Sequence, residues 1–138
     1  MKRNVRPMLW AMAALPLAVL IGVGVTAPTR TARAAPPPPV SFAQDVLPLL
    51  KWKCASCHAP GGEGYEKSGV DLTTYEGVMK GTKYGPMVVP GDPQASNLMR
   101  LLDWQVPAAI RMPHGQKQIC ACLRNDIREW IRQGAKNN

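Results

Sequence analysis

The chain has only two histidines, His58 and His114, and nothing in it resembles a catalytic triad. It also lacks a convincing β-strand. Met87-Val88-Val89 is the one β-leaning run, and Pro90 ends it. Acid is scarce: 9 Asp and Glu stand against 17 Lys and Arg, for a formal charge of +8. So basic a balance invites a nucleic-acid or membrane reading. The distribution removes most of that excess. Residues 1–34 hold five bases (Lys2, Arg3, Arg6, Arg30, Arg33) and no acid, and the 17 less these five leaves 12 against 9 in the remainder. That remainder has no basic run, which excludes a nucleic-acid-binding surface as the main function. At 138 residues the chain allows one domain, and its plentiful, regularly spaced apolar residues exclude a long disordered chain.

One long apolar run is present. Met1 to Pro7 is a short basic region, and Met8 to Val25 is 18 uncharged residues with Pro16 inside. Ala32-Arg33-Ala34 places small residues where a signal peptidase reads, so cleavage after Ala34 is expected, leaving the 138 less 34, or 104, residues. The run is also just long enough to cross a bilayer, so an uncleaved membrane anchor is the alternative. Lys2-Arg3 lacks the rest of a twin-arginine signal. Either way, residues 35–138 are expected outside the cytoplasm, periplasmic or otherwise exported. Residues 35–40, with four consecutive prolines, read as an extended polyproline spacer without a packed role.

All four cysteines, Cys54, Cys57, Cys120 and Cys122, lie beyond the leader. An even number in an exported domain suggests disulfides by default. The first pair reads differently, because Cys54-Ala55-Ser56-Cys57-His58 is the C-x-x-C-H pattern of c-type haem attachment. Two thiols three residues apart in a helical turn can reach the two vinyl groups on one porphyrin edge. The adjacent His58 then lies under the iron as the proximal ligand. A redox C-x-x-C would follow a strand, and none precedes Cys54. A zinc site would need Cys120 and Cys122, but C-x-C on a helix splays its sulfurs. A plain disulfide would not need His58.

A low-spin haem usually has a second axial ligand, and methionine raises its potential. Candidates are Met79, Met87, Met99 and Met112. Met112 stands out because Pro113 restricts it to an extended backbone, which suits a loop laid across the open haem face. Met79 and Met99 fall in helical patterns and read as packing residues, and Met87 is the loop alternative. His114 is a competing ligand that would give bis-histidine coordination.

Ser41 with Gln44 is a capping box opening a helix whose apolar face is Phe42, Val46, Leu49 and Leu50, and Pro48 predicts a bend. Residues 59–69 carry five glycines or prolines in eleven positions and read as loop. Thr73 with Glu76 opens a short helix that Gly81 stops. Asp92-Pro93 opens a third, running to about Leu102 with Ala95, Leu98, Met99 and Leu102 on one face. Residues 103–117 are irregular. A last helix covers about 118–133, with Cys120, Leu123, Ile127, Trp130 and Ile131 on its apolar face and Gly134 as its stop. The expected fold is all-α: about four short helices wrapped around one covalent haem, which supplies apolar contact that a small chain lacks.

These pieces together resemble the class I cytochromes c, and especially the planctomycete-type cytochrome c domain. The resemblance rests on Phe42 and Val46 before the C-x-x-C-H; Val70-Asp71-Leu72 with Tyr75; Val89-Pro90-Gly91-Asp92-Pro93 with Ser96 and Leu98; Met112-Pro113; and Trp130-Ile131 with Gly134-Ala135. It covers about residues 41–135, within a domain spanning 41–138. It implies one haem c held covalently by Cys54 and Cys57, with His58 proximal and Met112 distal, and Phe42 packed near Trp130. Cys120 and Cys122 are not required by the pattern. Cys120 reads as a small buried residue, with Cys122 off that face and open to an intermolecular contact. A Cys120–Cys122 bond would be a small, labile ring.

The expected function is that of a monohaem c-type cytochrome, not an enzyme, moving single electrons between a redox donor and acceptor outside the cytoplasm. The alternatives are a fixed electron-relay subunit of a membrane or multi-haem assembly, and a haem enzyme or sensor with an open sixth position. Lys51, Lys53, Lys80, Lys83 and Lys117 read either as a steering ring for an acidic partner or as a solvated surface. Tyr84, Arg100, Trp104 and Arg111 are candidate haem-propionate neighbours.

Overall fold

The computed structural model describes residues 35–138; the expected leader and its expected cleavage site lie outside the described residues. The described chain is all-helical, with one isolated antiparallel bridge between Thr82 and Gly85 in place of any sheet. A π turn over Phe42–Val46 runs into α1 (Leu47–Lys53), followed by α2 (Ala55–His58), α3 (Glu63–Ser68), α4 (Tyr75–Lys80) and α5 (Asn97–Leu102). A 3₁₀ turn at Ala108–Ile110 precedes the last helix, α6 (Ala121–Arg132).

The predicted bend at Pro48 is solved by geometry. Proline cannot donate to the preceding turn, and its ring crowds that turn's carbonyl. The chain therefore begins with wider turns, Val46 N–H donating to Ser41 C=O at 3.2 Å and Leu47 N–H to Phe42 C=O. Pro48 then sits in the first turn of α1, where no donor is missed. Ser41 caps as expected, its hydroxyl accepting from Gln44 N–H at 3.2 Å. The return bond comes from Asp45, whose Oδ2 accepts from Ser41 N–H at 2.8 Å.

Three helix starts and one loop differ from the sequence reading; the last helix begins at Ala121 rather than about 118. Thr74, not Thr73, caps α4, accepting from Gly77 N–H at 3.0 Å, because the Thr73 hydroxyl is turned back to Asp71 Oδ1 at 2.6 Å. Asp92 caps only a turn, accepting from Gln94 and Ala95 N–H at 3.0 Å each. The buried Ser96 hydroxyl donates to Asp92 C=O at 2.8 Å and accepts from Val89 N–H at 2.9 Å, so α5 starts after it. The stretch read as loop, 59–69, contains α3.

The core joins the two ends of the domain. Phe42, Val46, Leu49 and Leu50 are buried, as are Ile127, Trp130 and Ile131 from one face of α6. Each such side chain contributes about 1.5–3 kcal/mol through its removal from water. Phe42 lies 5.2 Å from Trp130 and 5.1 Å from Tyr75 between ring centroids. The Tyr75 hydroxyl donates to Ala135 C=O at 2.9 Å, and the Trp130 indole donates to Lys136 C=O at 2.9 Å. Asn138 completes the seam: its Oδ1 accepts from Phe42 N–H at 3.0 Å and its C=O from Ala43 N–H at 3.0 Å. The first helical turn thus has partners for donors that would otherwise be orphaned.

The proline spacer is not detached. Gln133 Nε2 donates to Pro38 C=O at 3.0 Å, and its Oε1 accepts from Val40 N–H at 2.8 Å. The spacer's end is therefore stitched to the segment that follows α6. Among the described residues no helix is long and apolar enough to cross a membrane.

Candidate functional site

The hydrogen-bond ladder of α1 delivers the C-x-x-C-H segment. Cys54 N–H donates to Leu50 C=O at 2.8 Å, and the chain then turns at Cys54 into α2. Cys57 and His58 N–H both return to Cys54 C=O, at 3.1 and 2.9 Å. Two thiols and an imidazole therefore project from one turn. Neither Cys54 nor Cys57 is in a disulfide. Cys54 packs against the core and Cys57 is exposed. Burial, followed by the neighbouring Cys57, pushes the Cys54 thiol up to about 11, against a smaller opposing pull from Lys53.

His58 is half-buried. Its Nδ1 is shielded from solvent and makes no hydrogen bond of normal geometry. Burial holds the imidazole below its usual pKa, opposed by the adjacent Val70 backbone. The ring is fixed by what lies against it. A Cβ at Gly64 would stand 2.7 Å from His58 Cε1 and 2.9 Å from Nε2, and one at Gly62 would stand 2.5 Å from Cys57 C=O. The start of α3 thus lies flush against the turn that carries the motif, and only glycine fits at either position. Leu72 N–H donates to His58 C=O at 3.0 Å and closes the other side. The glycines that suggested a loop were the mark of this close approach, and sequence reasoning missed that role.

The methionines separate by burial. Met87 and Met99 are core residues, Met87 at 6 % exposure. Met79 and Met112 are half-buried at the core's margin. Met112 is pinned through its backbone on both sides. Its N–H donates to Leu101 C=O at 3.3 Å, and its C=O accepts from the Trp104 indole at 3.0 Å. The Arg111 guanidinium lies 5.3 Å from the Trp104 ring centroid and donates through Nε to Val106 C=O at 3.2 Å. Trp104 and Arg111, read from sequence as propionate neighbours, thus hold the Met112 segment. His114 is exposed. The Glu63 carboxyl is held below its usual range chiefly by Lys67, and His114 adds to that pull. The His114 side chain therefore lies within charge range of Glu63 at the start of α3.

Tyr84 and Arg100 are exposed, and Lys83 lies 5.2 Å over the Tyr84 ring. Lys51, Lys80 and Lys117 are exposed, while Lys53 Nζ sits 3.4 Å over the Trp52 ring. Cys120 is corrected: it is exposed, and it is disulfide-bonded to Cys122. Its position at the cap of α6 points it away from the buried face. The bond also occupies the Cys122 sulfur that the sequence left open to an intermolecular contact. Among the described residues no three His, Cys, Asp or Glu side chains gather as a metal cluster, so the four-cysteine zinc arrangement is not formed.

A helical fold that sets two free thiols and an imidazole on one turn, backed by glycines, is the arrangement of a c-type cytochrome. Residues 54–114 match the family model described as planctomycete cytochrome C. That match supports a planctomycete-type cytochrome c domain in this part of the chain, which points to haem binding and electron transfer. No curated protein and no solved structure matches the chain.

Proposed function

We propose that the protein is a monohaem c-type cytochrome that carries single electrons between redox partners outside the cytoplasm. The observation that carries this reading is the α2 turn, with Cys54 and Cys57 unpaired beside a half-buried His58. Cys54 and Cys57 would hold haem c by thioether bonds, His58 would be the proximal ligand and Met112 the distal one. The half-buried ring, with the Val70 backbone beside it and the glycine cradle against it, fits an imidazole held for ligation. Haem c, when bound, supplies an iron that alternates between two oxidation states.

The chain's own residues do the positioning. Gly62 and Gly64 let α3 close on Cys57 and His58, and limit the room in which the ring can turn. Leu101 and Trp104 fix the backbone of Met112. Leu50, Val70 and Leu72, whose backbones adjoin the motif, are buried in the core. The leader and its 18-residue apolar run support export, cleaved or anchored.

The test is the intact mass of protein expressed with a working haem-attachment system. One haem added per chain is expected, and none in Cys54→Ala/Cys57→Ala. An unmodified wild-type mass under those conditions would overturn the reading.

A further inference from the structure

The Cys120–Cys122 disulfide has no part in the haem-binding turn. The two cysteines are two positions apart in sequence, and both residues are exposed. A bond between near neighbours closes the smallest kind of loop, and such a bond removes little entropy from the unfolded chain. It joins no distant elements, since both sulfurs belong to the start of α6. As a structural staple it therefore does little.

Its two sulfurs are unequal. Cys120 is the cap of a 12-residue helix, and its Sγ accepts from Leu123 N–H at 3.5 Å. Helix N-terminal amides favour a thiolate. Cys122 lies one turn before exposed Asp126, whose carboxylate disfavours a thiolate there. The nearest guanidiniums do not offset it, because Arg124 and Arg128 are both turned to Asp103 at 2.7 Å.

We propose that this bond is a thiol–disulfide exchange site for an external dithiol protein, with Cys122 the sulfur attacked and Cys120 the leaving thiolate. One thiolate of the dithiol attacks Cys122 Sγ. The Cys120–Cys122 bond breaks, a mixed disulfide forms, and the electron pair leaves on Cys120 Sγ. The dithiol's second thiolate then attacks its own sulfur in the mixed disulfide and releases Cys122. Two electrons and two protons pass to this chain, which ends with two thiols, and the dithiol ends as a disulfide. The domain would then carry a two-electron site separate from the one-electron centre.

The experiment uses full-length, haem-loaded protein and a thioredoxin whose resolving cysteine is serine. The expected result is a one-to-one mixed disulfide, mapped by fragmentation to Cys122, and no adduct in Cys122→Ser. Glutathione buffers should open and close the bond, and thermal unfolding should be the same for both forms. Absence of an adduct, or a bond that resists glutathione and whose cleavage lowers the melting temperature, would overturn the proposal. An adduct on Cys120 would overturn the assignment of the attacked sulfur.

Discussion

The Phe42 ring packs 5.2 Å from the Trp130 ring, tilted by 41°, and this contact joins the first helical turn to the last helix. Phe42 is 2 % exposed and Trp130 1 %, so neither site can relax toward solvent. Phe42→Ala should therefore cost about 3–5 kcal/mol of stability. Urea unfolding of the haem-loaded protein measures it, and a loss under about 1 kcal/mol would contradict the packing described.

Gly64 offers a test by sign. Replacing a helical glycine by alanine usually stabilises by about 0.5–1 kcal/mol. Here the added Cβ would meet His58 Cε1 at 2.7 Å, so Gly64→Ala should instead displace the imidazole. The expected outcome is reduced haem loading with a weaker low-spin spectrum. A more stable protein with an unchanged spectrum would show that the glycine is not a positioning residue.

The Trp104 indole holds the Met112 carbonyl at 3.0 Å. Trp104→Phe keeps the ring and removes the donor, at about 1 kcal/mol. Exogenous imidazole should then bind the ferric protein about fivefold more tightly, because the distal segment detaches more easily. Unchanged affinity would separate Trp104 from the distal ligand.

How much of this was legible in the sequence depended on the range of the interaction. Ser41, Asp92 and Gly81 act within a few residues, and each marked an end or a turn near where it falls. The C-x-x-C-H spacing is likewise local. Contacts distant in sequence were hidden. The indole of Trp104 on Met112, Asn138 on the first helical turn and Gln133 on the spacer depend on how elements meet. The helix Glu63–Ser68 was obscured because its glycines serve contact with Cys57 and His58, while its Lys67–Glu63 pair at 2.6 Å supports it across one turn. Cys120 fits the apolar spacing of α6, yet the helix starts just after it, and the residue turns outward.

Cys54 carries a pH prediction. Its thiol is raised from an ordinary 9.0 to about 11 by burial, so the protonated form is favoured by folding. In the haem-free chain, where Cys54 is still a thiol, that contribution is complete below pH 9.0 and is lost as pH rises through about 11. In the folded haem-free chain at pH 8, Cys54 should alkylate about 100-fold more slowly than an ordinary thiol, since the thiolate is the reactive form. Iodoacetamide labelling read peptide by peptide checks this. An ordinary rate at Cys54 would contradict its burial.

The central claim is most directly tested by the optical spectrum of the purified protein, oxidised and then reduced, beside Met112→Ala. The account predicts low-spin haem c bands in both states of the wild type. It also predicts a weak far-red band of methionine bound to ferric iron, absent in the variant. High-spin bands in the wild type, or a far-red band that survives in Met112→Ala, would contradict it.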